Sequence, residues 1–228
     1  MASELQLIAG GALEGPMREI AANYEKASGQ KLAIRFGTTP VLIGFATSSA
    51  FDLGVVPVDV MKDAAARARF DPAPTIDIAR VGLGIAVQAG ARKPDIGTAD
   101  ALRQALLAAQ SIATIPASAG GTQVQRMFDA LGIAEAMKPK IVAQATPPLL
   151  VECLAKGQAE LGIFLRNVLT APGLDIVGAV PAGLHQEVVF TAAVSATTEA
   201  AQAARGFIDF LKSRPATELL KAKGVEPL

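Results

Sequence analysis

Short apolar runs with strand character alternate along the chain with segments whose apolar residues recur at helical spacing, each closed by Gly, Pro or Thr. The first run is Glu4 to Gly10. A helix follows in which Met17, Ile20, Ala21 and Tyr24 fall at i, i+3, i+4 and i+7, and Gly29 ends it. Further strands are predicted at Lys31 to Phe36, Phe51 to Val56 and Val81 to Gln88. The second half repeats the scheme. Ser111 to Ile115 precedes a helix with Val124, Met127, Phe128 and Leu131 on one stripe, and Ile141 to Ala145 precedes a helix opened by Pro147 and Pro148. Leu161 to Leu165 is almost wholly apolar, which predicts a central strand covered on both faces. Leu174 to Val180 and Val188 to Ser195 read as strands, and Ala200 to Lys212 and Ala216 to Lys223 as terminal helices. This is βαβ punctuation and predicts an α/β fold.

Composition narrows the picture. The chain has 228 residues, enough for one large α/β unit or two small lobes, and no Ser- or Gly-rich tether separates its halves. A two-lobed reading therefore needs strand-like crossings, placed near Arg80 to Gly84 and near Pro181 to Glu187. Trp is absent and aromatics are 4%, so the core is built from small aliphatic side chains. Lys plus Arg and Asp plus Glu are 21 each, which leaves no broad field for nucleic acid or a membrane surface. Apolar runs such as Val81 to Val87 fall short of the roughly 20 residues of a membrane span. One cysteine, Cys153, excludes an internal disulfide, and its spacing from Leu150 and Leu154 suits a buried thiol. No Cys/His cluster has metal-ligand spacing, so no metal or other cofactor is expected. Met1-Ala2-Ser3 leads almost directly into a strand, without a basic or apolar leader. Either the protein is cytosolic or a signal peptide has been removed.

Chemistry is expected just after each strand, where helix N-termini present free N–H groups. Gly10, Gly11 and Ala12 follow the first strand and either let a ligand approach the backbone or simply make a tight turn. Thr38 and Thr39 follow the second, as caps or as anion donors. Pro57 follows the third and offers backbone only. Ser118, Ala119, Gly120, Gly121 and Thr122 form a small hydroxyl-bearing loop ahead of a helix. It has neither the Gly-Lys-Ser/Thr ending of a phosphate loop nor a dinucleotide fingerprint. Arg166 and Asn167 follow the buried Leu161 to Leu165 strand, where a guanidinium would fork onto a carboxylate or close an internal ion pair. Arg126, one turn into the helix after Ser118, reads more simply as part of a solvated face.

The first loop, together with Val81 to Ile96, Ala101 to Ile112, Leu131 to Lys140 and Leu220 to Pro227, resembles the molybdate-binding-protein-like branch of type II periplasmic solute receptors of ABC transporters. The resemblance implies two α/β lobes, each with a central mixed sheet, joined by two hinge crossings. Residues 1–82 with 186–228 would form one lobe and 83–185 the other, closing around a small anion. It implies a monomeric periplasmic protein, its signal peptide removed, that hands its solute to the transporter's membrane component. Molybdate receptors use serine hydroxyls after the first two strands and a tyrosine after the strand matching Leu161 to Leu165. Here Gly11, Thr38 with Thr39, and Leu165 beside Arg166 stand at those places, which points to an organic carboxylate instead. Two further classes stay open. Aconitate isomerases are similar to this branch, and the weak proton-transfer candidates for such an enzyme are Glu14 and His185. The effector domain of a DNA-binding regulator shares the lobe architecture and would be an excised fragment.

Overall fold

In the computed structural model, residues 4–228 are described, and Met1-Ala2-Ser3 lie outside them. The described residues form two compact units, 4–80 with 189–228, and 81–188.

In unit 1 the chain runs through β1 (Leu5–Gly10), a 3-10 turn at Gly11–Leu13, α1 (Glu14–Ser28), β2 (Leu32–Gly37), α2 (Thr39–Ser48), β3 (Leu53–Pro57), the short α3 (Val58–Lys62) and α4 (Ala64–Arg67), and β4 (Ile76–Val81). The stripe read from the sequence is what α1 buries: Met17, Ile20, Ala21 and Tyr24. It stops at Gly29, whose φ of 74° lies in the left-handed region that favours glycine.

Unit 2 follows with β5 (Leu83–Gln88), α5 (Ala99–Ala108), β6 (Ile112–Thr114), α6 (Ala119–Ala130), α7 (Ala134–Met137), β7 (Ile141–Ala143), α8 (Pro147–Ala155), β8 (Leu161–Leu165) and β9 (Leu174–Ala179). The chain then returns to unit 1 with β10 (Val188–Val194), α9 (Ala201–Leu211), α10 (Arg214–Ala222) and β11 (Glu226–Pro227).

The sheet of unit 1 has the order β11-β4-β10-β3-β1-β2. Its β1 is parallel to β2 and β3, and β10 runs antiparallel to β3. Ile8, Leu42, Val56, Phe51 and Phe70 pack together beneath α2, with the Phe51 and Phe70 rings 5.0 Å apart. Tyr24 of α1 meets Phe207 and Phe210 of α9 at 5.1 and 5.2 Å between ring centroids.

The sheet of unit 2 has the order β7-β6-β8-β5-β9. Strands β6, β7 and β8 are parallel, and β5 is antiparallel to β8 and β9. All five residues of β8 are buried, as its unbroken apolar run predicts. Close packing of small residues sets this unit. A Cβ on Gly120 of α6 would stand 2.6 Å from the Phe164 ring, and one on Gly121 would stand 2.2 Å from the Ile115 carbonyl oxygen.

The strand expected from Val81 to Gln88 is β5, which begins at Leu83, and Val81 instead ends a separate strand, β4, in the other sheet, for which the sequence pattern carries no expectation. Nothing in its first half marks β4 as buried, since Ile76 and Asp77 are exposed and Pro72 and Pro74 precede them. Helix α5 was not read as a helix from the sequence either, although Leu102 and Leu106 make a short buried stripe and Thr98 caps it.

Candidate ligand-binding loops

Parallel strands bring their carboxyl ends to one edge of a sheet, and the loops that follow carry the free donors of helix starts. In unit 1 that edge carries the turn after β1, the residues after β2 and the end of β3. Gly10 is buried, and a Cβ there would lie 2.6 Å from the Phe190 ring, so its lack of a side chain is a packing requirement. Gly11 and Ala12 open the 3-10 turn that runs into α1, with no side-chain cap. Glu14, one turn on, accepts from Arg18 at 2.8 and 3.0 Å, and the Arg18 guanidinium lies over the Phe36 ring.

Thr38 occupies the N-cap position of α2 in extended conformation, yet its hydroxyl makes no cap hydrogen bond. Of the two roles open to it, the cap is the one it does not perform. Thr39 is the first residue of α2, and Pro40 follows. Pro57 ends β3 and offers no N–H, as expected from its type.

Unit 2 is built differently. Ser118 caps α6: its Oγ accepts from the Gly121 N–H at 2.9 Å and donates to the Ile115 carbonyl at 2.7 Å. Both of its hydrogen-bonding capacities along the loop are thus engaged within the fold. Thr122 donates from Oγ1 to the Ser118 carbonyl at 3.2 Å. Ala119, Gly120 and Gly121 are buried, and the two glycines serve the close approach of α6 to β8 and to its own loop.

Arg166 follows β8. Its backbone N–H donates to the Gly82 carbonyl at 3.0 Å, and its Cβ and Cγ lie over Gly84, within about 3.3 Å of where a Cβ would stand. The side chain is exposed, and among the described residues its guanidinium has neither an ion pair nor a hydrogen bond. The internal ion pair open to it at the sequence level does not form. Asn167 follows at the start of a 3-10 turn, and its carbonyl accepts from the Thr170 hydroxyl at 2.8 Å. Arg126 is tied to the Gln186 side chain, and the Gln186 N–H donates to the Gln123 side chain at 3.0 Å.

One further loop at this edge carries no expectation from the sequence. Gln144 to Pro147 leaves β7 at the same edge as the Ser118 and Arg166 loops, with Thr146 capping α8 through the Leu149 N–H at 3.5 Å. The signal was present: a strand, then a hydroxyl residue, then two prolines.

His185 accepts at Nε2 from the Leu83 N–H at 3.0 Å, so that nitrogen carries no proton, and Nδ1 is buried without a partner. Burial pushes its pKa below the ordinary 6.5, against a smaller upward pull from Glu187. Burial likewise raises the Cys153 thiol, which is unsuited to nucleophilic work. Among the described residues, no group of three or more His, Cys, Asp or Glu could hold a metal ion, and no helix is long and apolar enough to cross a membrane.

Residues 5–226 match the family model described as bacterial extracellular solute-binding protein. An aconitate isomerase from Pseudomonas sp is 28% identical over 98% of this chain and 88% of its own length. A molybdate-binding protein from Azotobacter vinelandii is 26% identical over 98% of this chain and 90% of its own. The structure of an Azotobacter vinelandii periplasmic molybdate-binding protein superposes with a TM-score of 0.82 at 18% identity, covering 97% of this chain and 98% of that one. The substrate-binding domain of a putative molybdenum ABC transporter from Clostridium difficile gives 0.75 at 18% identity, covering 99% of each chain. With its two mixed sheets and these likenesses, the chain belongs to the bacterial extracellular solute-binding proteins and has their two-lobed type II fold.

Proposed function

We propose that this protein binds a small organic carboxylate outside the cytoplasm, in the periplasm, and delivers it to the membrane component of an ABC importer. The single observation that carries the carboxylate is Arg166. A guanidinium placed by a buried strand, without a protein partner, offers a planar pair of donors matched to a carboxylate. A hydrogen bond to a charged group contributes about 1.5–3 kcal/mol, enough to select a ligand. Within unit 1, the Thr38 hydroxyl and the turn opened by Gly11, which has no side-chain cap, are neutral groups suited to an anion. The aconitate isomerase among the relatives acts, by its name, on an organic acid, in keeping with this choice.

A thermal-shift panel of di- and tricarboxylates with molybdate and sulfate tests the reading. Stabilisation by carboxylates above the oxyanions is expected. Stabilisation by molybdate alone overturns the carboxylate assignment, and no response to any anion overturns the receptor.

The same relative favours a second reading, isomerisation of a small polycarboxylate on this scaffold. Its two sequence-level candidates fit poorly. Glu14 is held by Arg18, and the unprotonated nitrogen of His185 is occupied by Leu83. Incubation with cis- and trans-aconitate followed by proton NMR decides it. No interconversion removes this reading.

A further inference from the structure

A cavity of about 560 Å³ lies in unit 2 along α6, beside the edge strand β7. Val124 and Phe128 of α6 and Ile141 of β7 give it an apolar wall. Thr114, the last residue of β6, also lines it. That residue is 3% exposed, and its Oγ1 is buried with no hydrogen-bond partner among the described residues. Arg126 and Lys138 line the same cavity and are both exposed, so positive charge stands at its rim.

Unlike Arg166, these groups are lightly engaged by the protein. Arg126 donates to the neutral side chain of Gln186, and Lys138 pairs with Glu135, itself 84% exposed at the side chain. Such an exposed pair is weak and easily exchanged for another anion. A buried hydroxyl, by contrast, is normally satisfied, and an unsatisfied one on a residue that lines a cavity asks for an acceptor or donor.

We propose that this cavity is a second binding site, for a small oxo- or hydroxy-carboxylate. The carboxylate of the ligand meets Arg126 and Lys138 at the rim. Its second oxygen reaches inward to accept from Thr114 Oγ1, and the carbon chain between them lies against Val124, Phe128 and Ile141. The lining takes in Gly121 and Thr122 at the start of α6, but no residue of β8 or of those that follow it, so the site does not include Arg166.

The probe is 4-oxopentanoate, which carries a carboxylate and a ketone, compared with pentanoate, which lacks the ketone. Protein labelled at threonine methyl groups is titrated by NMR while Thr114 and Thr122 are followed. Saturable shifts of both are expected, with a dissociation constant on the order of millimolar and about tenfold weaker binding of pentanoate. Thr114→Val, nearly isosteric, should abolish that preference as read at Thr122. Lys138→Gln should weaken both ligands, and Arg166→Gln should change neither. Absence of saturable shifts, equal binding of the two acids, a preference that survives Thr114→Val, or loss of binding in Arg166→Gln each overturns the second site.

Discussion

The two units start their longer helices in opposite ways. In unit 2 the three longer helices are capped by their own hydroxyl residues, Thr98, Ser118 and Thr146. In unit 1 neither α1 nor α2 receives a side-chain cap at its start, although Thr38 stands at the position that would supply one to α2. A cap satisfies one of the four orphan N–H groups of a helix start and leaves fewer donors for an anion. Unit 1 therefore keeps neutral donors in reserve, while unit 2 spends its hydroxyls on the fold and presents a cation, Arg166. A loop sequence of the same composition, hydroxyls and glycines before a helix, thus caps its helix in one unit and leaves it uncapped in the other.

The glycines sharpen this contrast most. Gly121→Ala would drive a Cβ into backbone carbonyl oxygens that cannot move away, at 2.2 and 2.5 Å. A loss of about 3 kcal/mol, read by chemical denaturation, is expected. Gly44, inside α2 of unit 1, has nothing within 4 Å of a built Cβ. Gly44→Ala should stabilise by about 0.5–1 kcal/mol through helix propensity. Equal effects at the two sites would break the packing account of unit 2.

A smaller effect separates the two hydroxyls. Ser118→Ala removes a cap worth about 1 kcal/mol and should lower the melting temperature by about 2–4 °C. Thr38→Val, whose hydroxyl caps nothing, should leave the melting temperature in place and weaken ligand binding about tenfold. The reverse assignment, with Thr38 mattering for stability and Ser118 for the ligand, would invert the comparison.

The smallest concerns His185, the single histidine of the chain. Its folded pKa lies below 6.5 because of burial, so below that pH the unfolded chain takes up a proton that the folded chain refuses. The stability associated with it is present above about pH 6.5 and is lost as the pH falls. Melting curves between pH 7.5 and 5.5 should show that slope in the wild type, and His185→Gln should flatten it.

Much of the fold was legible because periodicity reports burial directly. The α1 stripe and the β8 run are the plainest cases, each a pattern that only one covering arrangement satisfies. Strand β4 was hidden because its first residues are exposed and it runs into β5 with only Gly82 between. Among the site loops, residue types located the strand ends but not the use of each hydroxyl. Whether Ser118 or Thr38 caps its helix depends on the rotation of one side chain, which sequence spacing leaves open. Arg166 was open in the same way, since a guanidinium directly after five buried residues could fork onto a carboxylate or close an internal ion pair.

The carboxylate assignment meets its most direct test in calorimetry of trans-aconitate and molybdate against the wild type and Arg166→Gln. Tighter binding of the carboxylate is expected, weakened in the variant by about 1.5–3 kcal/mol, while any residual molybdate binding changes little. Tighter binding of molybdate, or a carboxylate affinity indifferent to Arg166, would contradict it.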